Sequence, residues 1–147
     1  MNEAHQVPEA LIKHADSIVD RLSKWKQKPS QEFHIYSCLE FGEALLLSDL
    51  YKICGKETYK DTAVTAINLL TALPNKYNQL GIEDGEAGKM LLLLRLFEMT
   101  NESQHLANAM DLAKGCLTSL EKIPLRDQSF FKGSAGLLFA ATKLCEE

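Results

Sequence analysis

The 147-residue sequence holds no CxxC pair, no basic cluster beyond Lys24, Lys26 and Lys28, and no apolar run approaching a membrane span. Its four cysteines, Cys38, Cys54, Cys116 and Cys145, stand singly, and three of them fall inside apolar helical runs. We read them as reduced, buried thiols rather than as disulfides or a metal knot. The remaining basic residues are scattered and the net charge is -4, which leaves no phosphate-binding footprint and no expectation of nucleic acid. Residues 1–6 have neither the basic start nor the apolar core of a signal peptide, so a cytoplasmic protein with no membrane partner is expected. No stretch alternates apolar and polar residues as a half-buried strand would.

What is present is the composition of a globular chain, 46% hydrophobic and 24% charged, at a length that suits one domain. The chain also repeats itself. Laying residues 39–63 on residues 85–109, an offset of 46, pairs Glu40 with Glu86, Gly42 with Gly88, Leu45 to Leu47 with Leu91 to Leu93, Leu50 with Leu96 and Tyr51 with Phe97. A third copy follows at an offset of 48, where Gly133, Ser134, Ala135 and Gly136 fall on Gly85, Glu86, Ala87 and Gly88. Periods of this size mark arrays of supersecondary units.

Each unit reads as two helices of different character. The first follows the glycines and is apolar nearly all round, as in Ala44 to Leu47 or Met90 to Leu94, so it must be covered on most sides. The second is one-faced, with Tyr59, Ala63, Ala66, Ile67 and Leu70 at helical spacing, and Leu106, Ala109, Leu112, Ala113 and Cys116 doing the same one unit later. Such helices belong outside. Short polar turns at residues 54–57 and 100–103 join the two. Residues 8–25 form one more helix, with Pro8 in its first turn and Leu11, Ile12, Ala15, Ile18, Val19 and Leu22 along one face, like the outer helix of a preceding unit. Pro29, Pro74 and Pro124 fall between helices. The expectation is an all-α, single-domain array of about six helices in hairpins, with repeats near residues 34–80, 81–125 and 129–147 preceded by helix 8–25.

Residues 81–88, reading Gly-Ile-Glu-Asp-Gly-Glu-Ala-Gly before a leucine run, and residues 129–138, reading Ser-Phe-Phe-Lys-Gly-Ser-Ala-Gly-Leu-Leu, resemble the repeats of the lanthionine synthetase C-like family. The resemblance spans residues 34–147 and rests on three helix starts in register at Gly42, Gly88 and Gly136, the last two of them Gly-x-x-Gly. It implies an α/α toroid, of which this chain supplies roughly half, and in the family one zinc ion held in a Trp-Cys-x-Gly-x-x-Gly motif and an adjacent Cys-His pair. Here Tyr36 and Ser37 stand where Trp-Cys would be, Leu39 at the motif's first glycine, and Glu83 and Asp84 where Cys-His would precede Gly85. Ser37, Glu83 and Asp84 are thus degenerate ligand positions, and a hydroxyl with two carboxylates suits zinc poorly. No metal, cofactor or catalytic residue is expected on that basis. The metal's task in the family is to activate a peptide thiol, which unaided is mostly protonated at neutral pH.

The resemblance therefore points to a non-catalytic domain binding a peptide or partner protein in a lanthipeptide-type setting, along a rim formed by Glu40, Glu83, Asp84 and Glu86. A homo-oligomer or a complementary half-toroid would cover the leucine-rich inner helices. One alternative is a zinc-dependent lanthionine-forming cyclase or a subunit of one, with Cys38 supplying a ligand from a shifted register. Another is a generic helical-repeat scaffold, although the 34-residue tetratricopeptide period does not fit. A carbohydrate-active role for the carboxylates ranks last, because acidic residues at helix starts serve the helix itself and Trp25 is the sole tryptophan. His34 with Tyr36 and Ser37 has no catalytic partner at a recognisable spacing, and His105 is expected to pack between helices. The glycines Gly85, Gly88, Gly133 and Gly136 are read as close-packing positions rather than as a ligand cleft.

Overall fold

The computed structural model describes residues 7–27, 40–73, 80–83, 85–120, 128–129 and 132–146. Among these the regular elements are six helices and no strand: α1 (Glu9–Gln27), α2 (Phe41–Cys54), α3 (Glu57–Ala72), α4 (Glu86–Thr100), α5 (Ser103–Leu120) and α6 (Ser134–Cys145). The fold is an all-α array of helix hairpins. No helix among the described residues is long and apolar enough to cross a membrane.

Two hairpins, α2–α3 and α4–α5, turn in the same way 46 residues apart. Gly55 ends α2 in the left-handed region at φ 66°, with its N–H donating to Tyr51 O at 2.7 Å. Asn101 ends α4 at φ 57°, with its N–H donating to Phe97 O at 2.7 Å. Glycine carries that conformation freely, and asparagine is among the few other residues that tolerate it. The following helices then start at Glu57 and Ser103, again 46 apart.

Burial repeats with the same period. Ala44, Leu47, Ser48 and Leu50 are buried in α2, and their equivalents Met90, Leu93, Leu94 and Leu96 are buried in α4. The hydroxyl of Ser48 is satisfied on its own helix by donating to Leu45 O at 2.7 Å. Helix α4 is the centre of the molecule, packing against α2, α3, α5 and α6. Its Leu92, Leu96 and Met99 join a cluster with Ile18, Leu22, Leu47, Tyr59, Ile67 and Leu70, while Ala87 and Met90 join a second with Cys116, Leu137 and Ala140. Each large aliphatic side chain removed from water in these clusters contributes about 1.5–3 kcal/mol before entropy is counted.

Ion pairs mark how the inner helices lie. Asp49 and Arg95 occupy the same position of successive units, and Arg95 Nη2 lies 3.2 Å from Asp49 Oδ1. Lys52 and Glu98, one turn on, are also equivalent and also paired. At the other end of the same helices the Phe41 ring lies against Gly88. Helices α2 and α4 therefore run parallel, side by side and in register, as translated copies of one element would.

Two expectations need correction. Cys54 and Cys145 are free but exposed, because each is the last residue of its helix and projects beyond the packed layer; of the described cysteines only Cys116 is buried. Cys38 lies outside the described residues. Gly42, Gly88 and Gly136 are also not one structural point. Gly88 and Gly136 are buried third residues of α4 and α6, whereas Gly42 is the exposed second residue of α2. Helix α4 starts one residue earlier in the repeat than α2, since Gly85 caps α4 while Glu40, the equivalent of Glu86, caps α2.

Candidate functional site

The amino-terminal ends of α2 and α4 meet at one rim, and the carboxylates singled out from the sequence divide there by environment. Glu40 is exposed and caps α2, its backbone N–H donating to Glu43 Oε2 at 3.2 Å in a capping-box arrangement. Glu83 is exposed in the turn before α4. Glu86 is the half-buried first residue of α4. Asp84 and Ser37 lie outside the described residues, as do His34 and Tyr36.

The start of α4 is closed by its own chain. Ala87 N–H donates to Leu80 O at 3.1 Å and Gly88 N–H to Gly81 O at 3.2 Å, so the backbone of the preceding turn takes the free donors of the first helical turn. That turn presses so near that a Cβ on Gly88 would overlap the Ile82 carbonyl oxygen and the Phe41 ring. Gly88 is therefore a packing glycine, as read from the sequence.

Glu86 and Cys116 share the interior behind this rim. Burial raises the Glu86 pKa above the ordinary glutamate value, against a smaller opposing effect from the Lys89 charge. Burial chiefly, and the Glu86 charge in addition, push the Cys116 thiol up to about 11. A thiol of that kind stays protonated at neutral pH and is a packing group, not a nucleophile. Lys89 is also buried, and its ammonium donates to Leu73 O at the end of α3, where the helix dipole favours a cation.

Glu43 and Lys89 were not singled out from the sequence, yet they occupy one position of successive units. Glu43 reaches back to α1, accepting a charge-assisted hydrogen bond from Arg21 and lying 3.6 Å from His14 Nε2. Lys89 reaches back to α3. The third member, Leu137, packs against Cys116 of α5. In each unit this position ties an inner helix to the outer helix before it, by an ion pair, a lysine–carbonyl bond and an apolar contact in turn. The legible signal was a charged residue one place past a helix-start glycine in an otherwise apolar run.

A second polar cluster joins α1 to α3. Tyr59 Oη donates to Asp16 Oδ1 at 2.9 Å, and Lys56 Nζ donates to the same oxygen at 2.8 Å while lying 4.4 Å from the Tyr59 ring centroid. The Lys56 hydrogen bond, joined by that of Tyr59, holds the Asp16 carboxyl below the usual range. His105, half-buried, lies 3.4 Å from Glu102 Oε2 across the turn that starts α5.

Among the described residues no three His, Cys, Asp or Glu side chains converge as a metal site would require. Compared with protein-family models, curated proteins and solved structures, the chain matches none of them.

Proposed function

We propose that this chain is a non-catalytic helical-repeat module that binds a peptide or a partner protein at the rim where α2 and α4 begin, in a setting of the lanthipeptide-modification type within the cytoplasm. The observation that supports it is the parallel, in-register placement of the two inner helices, which brings Glu40 and Glu83 to one exposed acidic rim above a closed interior. An acidic rim favours a basic peptide, through contacts that weaken with salt.

The donor set at the degenerate positions does not fit zinc. Ser37, Glu83 and Asp84 offer a hydroxyl and carboxylates where thiolate and imidazole would be needed, so no step of a metal-dependent cyclase is routed through them. A similarity of the whole array to half of an α/α toroid is part of this reading. The same stacking also supports a plainer one, in which the chain is a general helical-repeat scaffold whose partners touch other faces.

Fluorescence anisotropy with a dye-labelled oligolysine peptide separates the two. Saturable binding that weakens about tenfold or more in a Glu40→Gln/Glu83→Gln double variant, consistent with loss of charge-assisted contacts, supports the rim. Binding unaffected by the double variant, or none at low salt, rejects it in favour of the scaffold.

A further inference from the structure

We draw no further inference here: the strongest candidate, the exposed apolar surface that α5 and α6 present through Met110, Leu117 and Leu138, carries none because nothing in the structure shows what covers it.

Discussion

At the scale of single residues, Gly42 and Gly88 align in the repeat and respond oppositely to an added methyl group. Nothing lies within 4 Å of a Cβ at Gly42, so Gly42→Ala gains helix propensity and is expected to stabilise the fold by about 0.5–1 kcal/mol. At Gly88 the same change drives a methyl into the Ile82 carbonyl and the Phe41 ring, and is expected to cost about 1–3 kcal/mol. Urea denaturation of the two variants checks both signs, and shifts in the same direction would mean the start of α4 is wrongly placed. Glu86 makes a pH prediction. Its folded pKa is raised by burial, so its contribution is fully present below the ordinary glutamate value and is lost as pH rises through the raised one. Glu86→Gln is therefore expected to raise Tm near neutral pH, with the gain shrinking below about pH 4.5, the unperturbed value. An equal gain at both ends of the range would show that the carboxylate is not held in a desolvated place.

At the scale of elements, the equivalent-position pairs Asp49–Arg95 and Lys52–Glu98 mark the register of α2 against α4 and add modestly to it. Burial works to raise the Glu98 pKa, but hydrogen bonds from Lys52 and Arg95 outweigh it and the value is lowered. A lowered pKa means stability that is present above the unfolded value and lost as pH falls through the folded one. A double-mutant cycle on Lys52→Met and Glu98→Gln should show a coupling of about 0.2–1 kcal/mol near neutral pH, as for partly exposed pairs, and none at pH well below the glutamate range. Strict additivity near neutral pH would remove the pair from the register. The one-faced helices α3 and α5 and their polar turns were legible from spacing alone, because a 3.6-residue period survives in any window of that length. The start of α4 was not. It is decided by the carbonyls of Leu80 and Gly81 folding over Ala87 and Gly88, a loop conformation that no side-chain pattern encodes. The exposure of Cys54 and Cys145 was missed for a related reason, since the apolar pattern runs to the end of each helix while cover by neighbours does not, Ile53 being exposed as well.

At the scale of the molecule, the period of 46 residues gave the hairpin array and the apolar, central character of α4, which touches four other helices. The rim was legible only in part. Sequence alignment made Glu40 and Glu86 equivalent, but one caps a helix in solvent while the other turns into the interior, and only packing tells them apart. The reading of a ligand at the rim requires α2 and α4 to lie parallel with equal positions apposed. Zero-length carbodiimide cross-linking of the monomeric fraction, read by peptide mass spectrometry, measures that directly, with the Lys56–Asp16 pair at 2.8 Å as its internal control. A peptide joined through Lys52 and Glu98 is the predicted result; a Lys56–Asp16 link formed while Lys52 and Glu98 each couple only to other residues would contradict the stacked-hairpin fold.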